Sequence, residues 1–160
     1  YFFQGRSLHH RHHPKYLNFK GAKSSHMLYP YDEFGDILYV TEGALDARSL
    51  QLQGLNATTT ISCNVSNIQM NELKEFSGKI VISYDNDEAG VEGLARFNNL
   101  RKQKMIPNLF YCPPPEKQKD WNEAHIAGVD LKDWVSKNTV KVDDLLIYSK
   151  IHSWADSSFT

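Results

Sequence analysis

The stretch "VISYDNDEAG", residues 81–90, joins an apolar run to two aspartates that are one residue apart. A nearly continuous apolar run is typical of a strand that is buried on both faces of a parallel sheet. Asp85 and Asp87 follow where this strand ends. Carboxylates that crowd together repel one another and are costly to desolvate. The stretch therefore indicates either acids covered by water or a site for a cation.

Strand and helix patterns alternate on both sides of this stretch. The predicted strands cover residues 37–41, 57–61, 79–84 and 107–112. The predicted helices cover residues 42–54, 66–78, 88–103, 122–128 and 130–138, with a final amphipathic helix at 142–154. Ser66 or Asn67 is the expected N-cap of the second helix. This alternation predicts an α/β fold in which a parallel sheet of about four strands is flanked by helices.

The composition fits one globular domain with a real core. The chain has 160 residues, of which 41% are hydrophobic and 12% aromatic, and its formal net charge is −1. No apolar run approaches the roughly 20 residues that span a bilayer, and the first residues lack the pattern of a secretory signal. We therefore expect a cytoplasmic protein with no membrane partner. Because the chain is not a polycation, nucleic-acid contacts need a local basic patch.

The two cysteines, Cys63 and Cys112, lie far apart and form no CxxC pair. Their spacing argues against a zinc site and against a disulfide framework. We expect both side chains to pack as small apolar groups in a reducing cytoplasm.

Acidic residues follow three of the predicted strands. Glu42 ends the first strand, Asp85 and Asp87 follow the third, and Asp120 lies beyond the fourth. The carboxyl ends of parallel strands meet at one edge of a sheet, where ligands bind. Hard cations prefer oxygen ligands, so Mg²⁺ or Mn²⁺ is the expected ion, rather than zinc.

The alternative interpretation is that these acids cap helices, because acids in a first turn favour the helix dipole. For the Asp-x-Asp pair alone, capping or solvation is the better explanation. The additional Glu42-Gly43 at the end of an earlier strand reverses that order, since two strand ends then converge on one edge.

The two motifs together resemble the TOPRIM domain, which topoisomerases, primases and some nucleases share. That family carries a Glu-Gly after its first strand and an Asp-x-Asp after its third. "VTEGALD" at 40–46 and "SYDNDEAG" at 83–90 match this pattern at Glu42, Gly43, Asp85 and Asp87. The resemblance implies a Rossmann-like TOPRIM fold over roughly residues 36–125.

The flanking motifs are similar to those of DnaG-type and T-even-phage-like DNA primases. "FQGR" at 3–6 and "PKYLN" at 14–18 resemble the segment that precedes TOPRIM in these primases. "KDWNEA" at 119–124 resembles their third acidic motif. By this resemblance, the residues expected to contact nucleic acid or nucleotide are Arg6, Lys15, Asn18, Asp46 and Asn122.

The resemblance also has departures. Asn86 stands between the two aspartates where bacterial members usually have glycine, and no zinc-binding module is present in the sequence. The chain starts abruptly, so we expect a fragment of a longer protein. We predict three parts: a basic strand and loop segment at 1–35, the TOPRIM domain at 36–138, and a helix with a tail at 139–160.

The function that the resemblance implies is primer synthesis. A primase joins nucleoside triphosphates into short RNA primers on a single-stranded DNA template by metal-dependent nucleotidyl transfer. Glu42, Asp85 and Asp87 are the expected catalytic residues, and these three with Asp120 are the expected ligands of Mg²⁺ or Mn²⁺. A replicative helicase is an expected partner, bound through regions partly absent from this sequence. Three alternatives stay open: a nuclease, a topoisomerase fragment, or a TOPRIM module that binds nucleic acid without activity.

Overall fold

A computed structural model describes residues 4–7, 16–18, 20–21 and 23–157 of the chain. The first described elements are two short strands, β1 (Gln4–Arg6) and β2 (Tyr16–Asn18). They pair antiparallel, with Gly5 opposite Leu17, and form a sheet of their own.

The central sheet has five strands in the order β4-β3-β5-β6-β7. The first four in this order are parallel, whereas β7 pairs antiparallel with β6. The predicted parallel sheet of about four strands is therefore confirmed. The strands are β3 (Ile37–Thr41), β4 (Ala57–Thr59), β5 (Lys79–Ile82), β6 (Leu109–Tyr111) and β7 (Val140–Lys141).

Strand β7 was not predicted. It has two residues, both exposed, and so it shows neither an apolar run nor an alternating pattern. Its position on the edge of the sheet comes from pairing with β6, which is a tertiary contact. The predicted boundary after residue 138 falls between α5, defined below, and this strand.

Six α-helices and one short 3-10 helix (Ser24–His26) accompany the sheet in the described part of the chain. Ser66 caps α2 with a reciprocal capping box to Gln69, so one of the two predicted caps is correct. No helix of the described residues is long and apolar enough to cross a membrane. The helices are α1 (Ala44–Leu52), α2 (Asn67–Glu75), α3 (Glu88–Lys102), α4 (Trp121–Ile126), α5 (Leu131–Asn138) and α6 (Asp144–Ser157).

Successive residues of β5 point into different cores. Ile80 and Ile82 belong to one apolar cluster, together with residues of α2, α3 and α6 such as Phe97. Val81 belongs to the other, which includes residues of α1, α4 and α5 such as Leu50. Because both faces of the strand are covered, its sequence is continuously apolar.

Helix α6 packs against α3 at the end of the described chain. Ile147 contributes to the core, and the Asp144 carboxylate accepts a hydrogen bond from the Arg101 guanidinium at 3.0 Å. Lys102 forms an ion pair with the same carboxylate. The predicted amphipathic helix therefore exists and covers one side of the domain.

Candidate functional site

Five acidic side chains, those of Glu42, Asp46, Asp85, Asp87 and Asp120, belong to the carboxyl edge of the central sheet. Glu42 follows β3, Asp85 and Asp87 follow β5, and Asp120 precedes α4. Burial is the largest cause that raises the pKa of Asp85, and the neighbouring carboxyl groups raise it further; these are Asp46, Glu42, Asp120 and Asp87. The structure places the four acids that were predicted at this edge, Glu42, Asp85, Asp87 and Asp120, at the ends of elements that meet there. Asp46 was not predicted as part of this group.

A close backbone approach shapes the corner between β5 and α3. The carbonyl oxygen of Asp85 lies so near Gly90 that a Cβ atom on residue 90 would be 2.1 Å away from it. Only glycine leaves room for this approach. The Asn86 side chain, which replaces the more usual glycine of the motif, donates a hydrogen bond to the Pro114 carbonyl at 3.2 Å. The middle position of the Asp-x-Asp motif thus faces away towards the next loop.

Asp87 and Asp120 cap helices. The Asp87 Oδ1 atom accepts the Gly90 N–H of α3 at 2.9 Å, and the Asp120 Oδ1 atom accepts the Glu123 N–H of α4 at 2.8 Å. The capping interpretation is therefore correct for these two residues. Each cap uses one carboxylate oxygen, and the second oxygen has no hydrogen bond to any of the described residues, so it can bind another ligand.

Glu42 and Asp85 have a different environment. The Glu42 Oε1 and Asp85 Oδ1 atoms are buried, and neither has a hydrogen-bond partner among the described residues. Burial, followed by the neighbouring acids, raises the pKa of each side chain to about 7. For Glu42 the backbone N–H of Asp85 opposes this rise. A buried oxygen without a partner is costly, so this pair is prepared for a positively charged ligand.

Asp46 joins α1 to α4. Its side chain is buried, and its Oδ1 atom accepts the Asn122 N–H at 3.0 Å. Burial raises the pKa of Asp46 to about 6, while this N–H lowers it. The Ser49 hydroxyl lies 3.4 Å from the Asn122 Oδ1 atom. These contacts hold α4, and with it Asp120, beside the Asp85 corner.

The predicted phosphate contacts lie in the first part of the chain. Arg6 and Asn18 belong to β1 and β2, whose backbones pair. Lys15 lies outside the described residues. Their roles stay predictions.

Trp121 is fully buried behind the acidic corner. Its indole N–H donates to the Ser83 carbonyl at 2.8 Å. The side chain is therefore a packing anchor, and its burial leaves no face of the ring on which a nucleic-acid base could stack.

Three polar side chains beside the acids were not predicted. The Ser83 hydroxyl is buried without a partner among the described residues, and the hydroxyls of Tyr84 and Thr60 lie 2.9 Å apart. The signal for Tyr84 is a polar aromatic residue directly before the Asp-x-Asp motif. Nothing in the sequence indicates its partner Thr60, which directly follows β4.

Comparison with known proteins identifies the family. The model of the Toprim-like family matches residues 39–125, which is more than half of the chain. The chain belongs to the Toprim-like family. The matched range runs from β3 through α4 and contains all five acids of the edge.

Relatives of this Toprim chain include primases. The DNA primase of Clostridium acetobutylicum is 34% identical over 110 residues, which cover 62% of this chain and 18% of that protein. The RNA polymerase domain of Mycobacterium tuberculosis primase DnaG has a TM-score of 0.69 and 23% identity, over 86% of this chain and 51% of that one. A DnaG primase catalytic domain bound to single-stranded DNA has a TM-score of 0.72 and 20% identity, over 92% and 50%.

These comparisons differ in what they show. At these identities the two solved structures establish a shared fold. The chain spans about half the length of the solved primase chains and under a fifth of the curated primase that it matches.

The acids of the Toprim edge fit a hard divalent cation. Among the residues that the structure describes, no three Asp, Glu, His or Cys side chains are grouped as a complete metal site. Mg²⁺ does not need such a group, because it usually binds through one or two carboxylates together with water and substrate phosphates. Glu42 and Asp85 can be two such carboxylates, because each has a buried oxygen with no hydrogen-bond partner among the described residues.

Proposed function

We propose that this Toprim chain carries the nucleotidyl-transfer chemistry of a DNA primase, which joins nucleoside triphosphates into short RNA primers on single-stranded DNA. The observation that carries the proposal is the pair of buried oxygens on Glu42 and Asp85 at the carboxyl edge of a Toprim sheet. The similarity to a DNA primase, and to a primase domain that was solved with single-stranded DNA, supports this choice of reaction.

Glu42 and Asp85 would hold Mg²⁺ or Mn²⁺, with the second oxygens of Asp87 and Asp120 as further ligands. A bound divalent cation neutralises phosphate charge and lowers the pKa of an attacking hydroxyl. The chain itself supplies position and charge, which are the main contributions to phosphoryl transfer. The hydrogen bond from the Asn122 N–H to the Asp46 carboxyl group holds Asp120 at this corner.

Glu42 has one of two roles, as a cation ligand or as the general base for the 3′-hydroxyl of the growing primer. A general base works best when its pKa is near the working pH. Burial raises the pKa of Glu42 into that range, to about 7. The backbone N–H of Asp85 lowers the pKa of Glu42 and so partly opposes this rise.

The β1–β2 hairpin is the proposed contact for phosphates of the template and the nucleotides. Arg6 suits this task because a guanidinium binds phosphate through two hydrogen bonds. Lys15 and Asn18 are further proposed contacts for phosphates, and Asp46 and Asn122 are proposed contacts for the nucleotide. A replicative helicase, a cytoplasmic location and a phage-like origin belong to the same proposal.

A primer-synthesis assay tests the proposal. The chain is incubated with single-stranded DNA, labelled nucleoside triphosphates and Mg²⁺ or Mn²⁺, beside Asp85→Asn and Asp36→Asn. Asp36 is an exposed acid at the opposite end of β3, so its variant is the matched control. We expect template-dependent products from the wild type and Asp36→Asn, and none from Asp85→Asn. Cleavage of the DNA without synthesis would assign a nuclease instead.

A further inference from the structure

A buried hydrogen bond crosses the end of β3 beside the acidic edge. Tyr84 lies two residues after the end of β5, and Thr60 directly follows β4. These two strands lie on opposite sides of β3. The two hydroxyls are 2.9 Å apart, and their residues are 0% and 2% exposed. The bond therefore connects the two neighbours of β3 where Glu42 leaves the sheet.

The direction of this hydrogen bond follows from the other contacts of Thr60. The Thr60 hydroxyl lies 2.6 Å from the Ser62 carbonyl oxygen, to which it donates its hydrogen. The Tyr84 hydroxyl is therefore the donor to Thr60. Thr60 is also held by its backbone, since its N–H donates to the Thr41 carbonyl at 3.2 Å. Its own carbonyl accepts the Gln69 side-chain amide at 3.1 Å.

The Tyr84 ring is locked in place. A Cβ atom at Gly93 would lie 2.5 Å from the ring, so the glycine makes room for it. Phe97 packs against the ring edge-on, with ring centroids 6.0 Å apart. Because the ring cannot move, its hydroxyl is a fixed donor for Thr60.

The chain that follows Thr60 begins beside Glu42, because the Thr60 N–H donates at 3.2 Å to the carbonyl of Thr41, the residue directly before Glu42. After burial, the Glu42 carboxyl group is the next cause that raises the pKa of the Cys63 thiol. The same carboxyl group also raises the pKa of Tyr84, although burial is the larger cause. Arg96 of α3 holds the far part of this loop by donating to the Cys63 carbonyl at 3.4 Å and to the Asn64 side chain.

We propose that the Tyr84–Thr60 hydrogen bond holds residues 60–65 against Glu42, and that Tyr84 is thereby a positioning residue for Glu42. The part of this inference that concerns the cation rests on the proposed function. The part that concerns the loop stands on the hydrogen bonds alone.

Two single variants and their combination test the proposal. Tyr84→Phe removes the donor of the Tyr84–Thr60 hydrogen bond. Thr60→Val removes the acceptor with little change of shape, and with it the bond from Thr60 to the Ser62 carbonyl. The double variant combines the two changes. Tyr111→Phe is the control, because Tyr111 is a buried tyrosine on β6, which is not a neighbour of β3. Two quantities are measured in the folded proteins: the alkylation rate of Cys63 and the affinity for Mg²⁺ or Mn²⁺ by calorimetry. Cys112, which is fully buried, reports any global unfolding.

We expect Cys63 to react about three- to tenfold faster in Tyr84→Phe, and the cation to bind about three- to tenfold more weakly, as the loss of one hydrogen bond allows. Thr60→Val should show at least these changes, because it also loses the bond to Ser62. The double variant should resemble Thr60→Val, since that variant already lacks the Tyr84–Thr60 bond. Tyr111→Phe should match the wild type in both measurements.

Unchanged labelling in Tyr84→Phe, or additive effects in the double variant, would overturn the inference. Faster labelling of Cys63 with unchanged cation affinity would show that the loop does not position Glu42, and would overturn that part of the inference. Should the wild type bind no cation, the cation site of the proposed function fails, and the labelling rates still decide whether the hydrogen bond holds the loop.

Discussion

Two pairs of acids share the carboxyl edge of the sheet and differ in what their oxygens contact. Asp87 and Asp120 each accept a backbone N–H at a helix start. Glu42 and Asp85 each have a buried oxygen without a partner among the described residues. Acidic residues at the same edge therefore have different roles. One pair stabilises helices, and the other has buried oxygens whose missing hydrogen bonds a positively charged ligand would replace.

The largest expected effect is on cation affinity in Asp85→Asn. The amide keeps the shape of the side chain and removes its charge. Loss of even an indirect partner of a metal costs 10- to 100-fold in affinity, so loss of a direct ligand should cost more than about 100-fold. Calorimetry with Mg²⁺ and Mn²⁺ measures this, with Asp36→Asn as the control that binds normally. Wild-type affinity in Asp85→Asn would place the cation elsewhere.

Gly90→Ala should disturb both pairs at once. The new Cβ atom would lie 2.1 Å from the Asp85 carbonyl oxygen, and the Asp87 cap binds the N–H of the same residue. We expect the free energy of unfolding to fall by about 2 kcal/mol, which is typical of overpacking. Urea denaturation measures it. Gly5→Ala is the control, because among the described residues the nearest atom to its Cβ would be the Leu17 carbonyl oxygen, at 3.9 Å. Equal stability of Gly90→Ala and Gly5→Ala would show that the corner relaxes freely.

Two variants distinguish the contribution of the Asp87 cap to stability from the contribution of its charge. Asp87→Ala removes both, and we expect it to lower the free energy of unfolding by about 1 kcal/mol. Asp87→Ser removes the charge and keeps a hydroxyl that caps, so its stability should stay within a few tenths of a kcal/mol of the wild type. Urea denaturation of both variants provides the comparison. If serine destabilised as much as alanine, the charge and not the hydrogen bond would be responsible.

The smallest expected effect is a pH dependence that comes from Glu42 and Asp85. Their pKa values are about 7 in the folded protein, against ordinary values of 4.5 and 3.8. Between about pH 4 and 7 the folded state therefore keeps protons that the unfolded state has lost. The free energy of unfolding should fall as the pH rises through this window. The change is of the order of 1 kcal/mol, because solvent reaches both side chains and screens them.

Urea denaturation at pH 5 and pH 7.5, without divalent cations, measures this slope. Asp85→Asn should flatten it, whereas Asp87→Ser should change it less. Added Mg²⁺ should restore stability at pH 7.5, since binding favours the ionised carboxylates. A wild-type slope of zero would contradict the raised pKa values.

Much of the fold could be predicted because it depends on local pattern. The apolar run before Asp85 indicated a strand covered on both faces, and the structure places its residues in two cores. The Ser66 cap followed from residue type alone. Strand β7 could not be predicted, because its two exposed residues join the sheet only through β6.

The order of residues along the chain determined that the acids would meet, since parallel strands bring their carboxyl ends to one edge. Which acids would find a partner there was decided by tertiary structure. A cap needs only the next turn of its own helix, as Asp87 and Asp120 show. The burial of Glu42 and Asp85, and the hydrogen bond from Tyr84 to Thr60, depend on segments far apart in sequence. Burial and contact between distant segments exist only once the chain has folded, and they decide the charge state of the site.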